Sequence, residues 1–231
     1  MEGVAARVPD PEPDASAAHG RDPEPDGEEA QPRPRTKAAQ REATTAALIA
    51  AARELFAEHG YAGVGTEEIV KRAGVTRGAL YHHFRGGKEE LFRAVLVQIS
   101  AETMQRVVQA AGATDDPFEE LVLGSETFLD ACMNPEVQRI MLTDGPSVLG
   151  WDVWRAIDTD HGLGLLEAAV QHAMDAGRLL PGSPSAVAHV LSGALDEAAM
   201  MVARADDPEV ARAEMGQTVR RLLEGLRGPT P

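Results

Sequence analysis

The chain of 231 residues has a single cysteine, which excludes an internal disulfide framework and any zinc site built on several cysteines. Aromatic residues make up only 4%. A β-sandwich or barrel would draw on aromatic and β-branched residues, so an all-β fold is disfavoured. No apolar run approaches the ~18 residues that span a bilayer, and no membrane partner is expected. The N-terminus is acidic and proline-rich without the apolar segment of a secretory signal, so the expected location is cytoplasmic. Enzyme signatures are missing as well: there is no GxSxG, no HExxH and no phosphate-cradling GxxxxGK[ST]. Adjacent His82 and His83 project about 100° apart on a helix, and His161 and His172 lie about 16 Å apart along one, so neither pair chelates a metal. No catalytic residue, cofactor or metal is expected.

What is present is unevenly distributed. The formal net charge is −15, divided as −6 over residues 1–34, +3 over 35–100 and −12 over 101–231. One weakly basic segment in an acidic chain marks a place where an anion would be tolerated. Residues 1–34 hold seven prolines, nine acids and a repeated DPEPD (Asp10–Asp14 and Asp22–Asp26). Such a segment buries too little apolar surface to offset its ordering entropy, and 1–36 is read as a disordered acidic tail.

From Lys37 onward the apolar period is helical. Leu48, Ala52, Leu55, Phe56 and His59 recur at helical spacing, and Gly60 ends that helix. Thr66 followed by Glu67 and Glu68 reads as an N-cap with first-turn acids. That helix ends at Gly74, and the spacing predicts a third over Arg77–Phe84 and a fourth over Lys88–Ala111. Beyond it the pattern predicts helices over Pro117–Met133, Pro135–Leu142, Trp154–Ala176, Ser185–Ala205 and Pro208–Leu226, with Asp144–Trp151 as a loop or broken turn. No stretch alternates with period two. The fold class is all-α, with about nine helices.

On the third helix Leu80 and Phe84 lie four apart and face inward with Val75 and Ile69, while Gly78, Tyr81 and His82 point away. An exposed Tyr-His-His beside glycine suits a helix that approaches another surface closely, such as a DNA major groove. The run AARELFAEHGYAGVGTEEI, then AGVTRGALYHHF, then KEELF resembles the DNA-binding domain of the TetR family of bacterial transcriptional repressors over roughly residues 43–95. The resemblance implies a helix-turn-helix domain over 37–95 and a helical ligand-binding and dimerisation domain over 96–231. It implies DNA contacts by Thr66, Thr76, Arg77, Gly78, Tyr81, His82 and His83, and a phosphate contact by Lys88. Plainer roles stand beside these: Thr66 as a cap, His83 as a structural residue. Gly86-Gly87 departs from the usual single residue before the lysine.

The family's larger domain holds an inducer pocket. Two tryptophans beside the broken segment TDGPSVLGWDVW point to a cavity touched by Phe128, Cys132, Met141, Trp151, Trp154 and His161. Core packing is the plain alternative for these, and for Cys132, whose neighbours are acidic. The last two helices carry apolar stripes (Val187, Leu191, Leu195, Ala198 and Met201; Val219, Leu222, Leu223 and Leu226) with small residues between, which suits a homodimer interface. The expected partners are double-stranded operator DNA, a small apolar or amphipathic inducer and a second copy of the chain. The expected function is a repressor released by that ligand from a palindromic operator. The alternative is a ligand-binding helical protein or enzyme with an incidental helical N-terminus.

Overall fold

In a computed structural model, described over residues 36–228, the chain forms nine helical rods with no strand among the described residues. The expected tail lies outside the described residues up to Arg35. The rods are α1 (Lys37–Gly63), α2 (Thr66–Ala73), α3 (Arg77–His83), α4 (Lys88–Ala111) and α5 (Pro117–Ala131). Then come α6 (135–149), α7 (151–175), α8 (Pro184–Arg204) and α9 (Pro208–Gly225).

Local chemistry sets most boundaries. The hydroxyl of Thr36 accepts the Ala39 amide to open α1, Asp116 caps α5 before Pro117, and Asp207 caps α9 before Pro208. Gly60 takes φ 70° and breaks α1 one turn before its end; Gly74, at φ 67°, closes α2. The α2 N-cap is Gly65 rather than Thr66. Gly65 is extended, Thr66 is the first helical residue, and Glu67 and Glu68 supply the first-turn negative charge. The segment expected as a loop after Asp144 is instead helical over Gly145–Leu149, and Gly150 at φ 79° separates it from α7.

Both α6 and α7 contain a π-helical stretch, Gln138–Asp144 and Thr159–Leu163. The first has an identifiable cause. Pro146 has no N–H and cannot continue the helical ladder. The Gly145 amide reaches back to the Ile140 carbonyl, and the Met141 carbonyl accepts the Trp154 indole N–H at 2.8 Å. A Cβ on Gly145 would stand 2.8 Å from Trp154 Cδ1 and 2.9 Å from Leu96 Cδ1, so only glycine permits this closeness of α4, α6 and α7.

One apolar core runs through the described residues. Leu48, Leu55 and Phe56 of α1, Ile69, Leu80, Leu91 and Phe92 are fully buried; Phe56 and Phe92 meet edge to face at 5.3 Å. Each such side chain contributes roughly 1.5–3 kcal/mol relative to exposure. α4 passes residue 95 without a break, so the helix-turn-helix segment and the larger helical region share it. By length and apolarity α8 matches a membrane span, but Ala188, Leu191, Leu195, Ala198 and Ala199 are buried inside the protein. Five residues of the expected interface stripes, Leu191, Leu195, Ala198, Val219 and Leu223, therefore pack within the chain. The face left outward carries Val190, Met201, Val210, Leu222 and Leu226.

Candidate functional site

The first candidate surface is α3 and its approach. Thr76 ends the turn after α2, and its hydroxyl accepts the Ala79 amide at 3.2 Å, which starts the helix. Leu80 and Phe84 anchor α3 in the core, while Arg77, Gly78, Tyr81 and His82 are exposed on the other side. Arg77 pairs with Glu67 of α2 at 2.9 Å, and its guanidinium stands 5.7 Å from the Tyr81 ring centroid. These contacts hold a long side chain in one place at the head of an exposed helix, which lowers the entropy lost when it engages a partner. A Cβ on Gly78 would meet nothing closer than Thr76 Oγ1 at 3.8 Å, so the glycine leaves space outside the protein rather than relieving a contact within it.

Two residues of the expected contact set are directed inward. His83 is half-buried, and its Nδ1 lies 2.9 Å from the Thr45 hydroxyl of α1. Burial, then the charges of His82 and Arg41, push His83 below the ordinary histidine value. Lys88 donates to the carbonyls of Tyr61 and Val64 at 3.0 and 2.9 Å and sits 4.0 Å from the Tyr61 ring centroid. It clamps the α1–α2 connection. The structure thus gives the lysine expected on phosphate an internal task, because α1 ends at Gly63 and the carbonyls of its last turn and cap point past the helix end.

The second candidate site is a cavity of about 490 Å³ among α4, α5, α7 and α8. Met104, Val107, Leu121, Phe128, Leu166 and Leu195 supply much of its apolar wall. Its polar lining consists of Glu120, Ser125, His172, Ser192 and Asp196. Size and lining are those of a small-molecule site. Of the six residues expected at a ligand, Phe128 alone lines this cavity. Trp154 is buried in the α6–α7 contact with Met141, and Trp151, 55% exposed, stands 4.9 Å from it. Cys132 is buried at the end of α5, and His161 is in the second π-helical stretch. The tryptophans mark the broken helix, as their sequence setting implied, but the break is filled by an indole and the space opens elsewhere.

Known proteins decide what this arrangement is. Residues 48–95 match the model for bacterial regulatory proteins of the tetR family, and 118–226 match the tetracyclin repressor-like C-terminal domain. A TetR-family transcriptional regulator from Pectobacterium atrosepticum has a solved structure 34% identical to this chain. The match covers 85% of this chain and all of that one, with a TM-score of 0.75. The chain belongs to the TetR family. The HTH-type transcriptional repressor AcnR of Corynebacterium glutamicum is 31% identical over 145 residues, 62% of this chain and 72% of its own. The HTH-type transcriptional regulator LmrA of Bacillus subtilis is 35% identical over 82 residues, 36% of this chain and only 42% of its own. This TetR-family protein is a helix-turn-helix DNA-binding transcriptional regulator and not an enzyme.

Within that frame α6 acquires a meaning that sequence reasoning missed. The Gly60 break orphans the Tyr61 amide, and Asp144 Oδ2 accepts it at 2.7 Å, so the end of the π-helical stretch caps the last turn of α1. Arg53 of α1 donates Nε and Nη2 to Glu136 of α6 at 2.7 and 2.8 Å, and Nη1 to Glu102 of α4 at 2.8 Å. These bonds, with the Glu136 pairing foremost, raise the Arg53 value further above its already high ordinary one, against the cost of burial. The DNA-binding segment is thus tied to α6, and α6 is tied through Trp154 to α7, which lines the cavity. The sequence signals were Gly60, Gly145-Pro146 and Arg53, one of two arginines on α1, and none names its partner without the fold.

Proposed function

We propose that this regulator is a homodimeric repressor that leaves a palindromic operator when a small apolar or amphipathic molecule fills the α4–α5–α7–α8 cavity. The observation that carries the reading is the coexistence of an exposed, core-anchored α3 with a roomy, mostly apolar cavity connected to it by packed helices. Thr66, Thr76, Arg77, Gly78, Tyr81 and His82 face the DNA, with Tyr81 on phosphate and Arg77 and His82 at base edges. Lys88 and His83 position this surface. The protein works where its operator is, in the cytoplasm.

The second copy packs on the outward face of α8 and α9. Val190 is 74% exposed there, and Met201, Val210 and Leu222 are each at least half exposed. Apolar residues clustered on two neighbouring helices favour pairing by a two-fold axis, and such a dimer presents two α3 helices one DNA turn apart. Half-sites then lie about 10 bp apart or at a multiple of that.

Selecting bound DNA from a random pool tests the reading. The expected product is an inverted repeat. A site without two-fold symmetry, or no selection of any sequence over bulk DNA, overturns it.

A further inference from the structure

The charge of the cavity lining carries a statement about the ligand that the apolar wall alone does not, and it rests on the reading of this cavity as the inducer site. Two carboxylates line it, Glu120 and Asp196, and no lysine or arginine does. The lining histidine, His172, sits with its Nδ1 3.2 Å from Glu120. The guanidinium of Arg155 is held by Asp196 and donates to Ser192 Oγ at 3.2 Å, so this cation stands behind the lining and is engaged by it. The Ser125 hydroxyl donates to the Leu121 carbonyl at 2.7 Å, so toward the cavity it offers an acceptor.

An ion that enters an apolar cavity loses its hydration and needs a compensating partner. An anion finds two carboxylates and an acceptor hydroxyl here, and for donors only the Ser192 hydroxyl and a histidine already turned to Glu120. A cation finds the Glu120 carboxylate, the Asp196 carboxylate that Arg155 already shares, the Ser125 oxygen and the face of an aromatic ring, Phe128. The long-range field has the same sign, because residues 101–231 carry a net −12. We propose that the cavity selects lipophilic cations: an apolar body bearing one ammonium group, with the body against Val107, Leu121, Phe128 and Leu166 and the ammonium at the carboxylates. Fatty acids and other carboxylates of equal apolar bulk are discriminated against.

The test uses the full-length protein and three probes with the same ten-carbon tail, each below its micelle concentration: decyltrimethylammonium, decanol and decanoate. Calorimetry gives the affinity of each. The expected order is cation, then alcohol, then carboxylate, with the cation favoured over the alcohol by about tenfold or more, the factor expected when a single charge interaction is not screened by bulk water. Glu120→Gln and Asp196→Asn are each expected to shrink the gap between cation and alcohol. Asp196→Asn removes the partner of Arg155, so its thermal melt is recorded alongside. Glu120→Gln, whose side chain is 29% exposed and paired only with a surface histidine, decides the matter if the other variant does not fold.

Equal affinities for the three probes, decanoate binding as tightly as the cation, or a cation preference that survives in the folded variants each overturn the charge selection and leave the cavity as an inducer site. Failure of all three probes to bind overturns the cavity reading and the selection together.

Discussion

Replacing Lys88 with methionine separates two roles that a lysine at this position can have. Met keeps the stem and removes the ammonium. The structure shows that ammonium donating at 3.0 and 2.9 Å to the Tyr61 and Val64 carbonyls, 4.0 Å from the Tyr61 ring centroid. A hydrogen bond from a charged donor is worth about 1.5–3 kcal/mol net, and a cation–π contact about 0.5–2. The two bonds share one ammonium, and holding a lysine costs up to ~2 kcal/mol of side-chain entropy. The net loss is then about 2–4 kcal/mol. For a domain of this size each kcal/mol moves the melting temperature by about 2–4 °C, so Lys88→Met is expected to melt roughly 5–15 °C lower. The DNA assay is fluorescence anisotropy on the selected operator over a range of salt concentrations. An internal clamp predicts an unchanged slope of log affinity against log salt, whatever happens to affinity. A lysine on phosphate predicts a slope smaller by about one, because one counterion fewer is released. A reduced slope with an unchanged melting temperature would refute the internal clamp.

Arg77→Ala is expected to change which bases the selected site prefers, with little effect on melting, since its ion pair with Glu67 is exposed on both sides; an unaltered preference removes Arg77 from base readout. Gly145→Ala is expected to cost about 1–3 kcal/mol by driving a Cβ into Trp154 and Leu96, and to shift tryptophan emission by disturbing the indole bond to Met141; a wild-type melt and spectrum would show that the three helices are not close-packed there. Val190→Asp is expected to turn the proposed dimer into monomers in light scattering without loss of helix, and a dimer that persists places the interface elsewhere. Asp116 is held below the ordinary carboxylate value, first by the Phe118 amide and then by Arg178, so its stabilising effect is complete above the unfolded value near ~3.9 and fades as the pH falls through the folded one. The melting advantage of the wild type over Asp116→Asn is therefore expected to shrink below about pH 4, and a gap independent of pH would refute the charge effect.

Several helix boundaries were legible because each rests on a contact within a few residues, whereas the end of α6 and the start of α7 were not. Gly60, Gly74 and Gly177 take positive φ, Asp116 and Asp207 cap the turns that follow them, and α4 spans Lys88–Ala111 as its pattern predicts. The inward Leu80 and Phe84 and the outward Gly78, Tyr81 and His82 follow from helical spacing alone, and the pattern over roughly residues 43–95 carries the family resemblance. Sequence likewise placed Gly145-Pro146 as a disturbance, because a missing N–H is a local fact.

What fills that disturbance was decided by tertiary structure. The indole of Trp154 reaches the Met141 carbonyl across 13 positions, and Asp144 reaches the Tyr61 amide across 83. The same holds for Lys88, whose ammonium faces inward because the end of α1 leaves the Tyr61 and Val64 carbonyls within its reach. The cavity is the clearest case. Its wall takes residues from four helices spread over 104–196, and no window of sequence shows where four packed helices fail to fill the space between them. Aromatic residues draw attention in a sequence because they are large. In the folded chain that size lets Trp154 close a gap, and the space remains where Gly124, Gly162, Ala168 and Ala169 leave it.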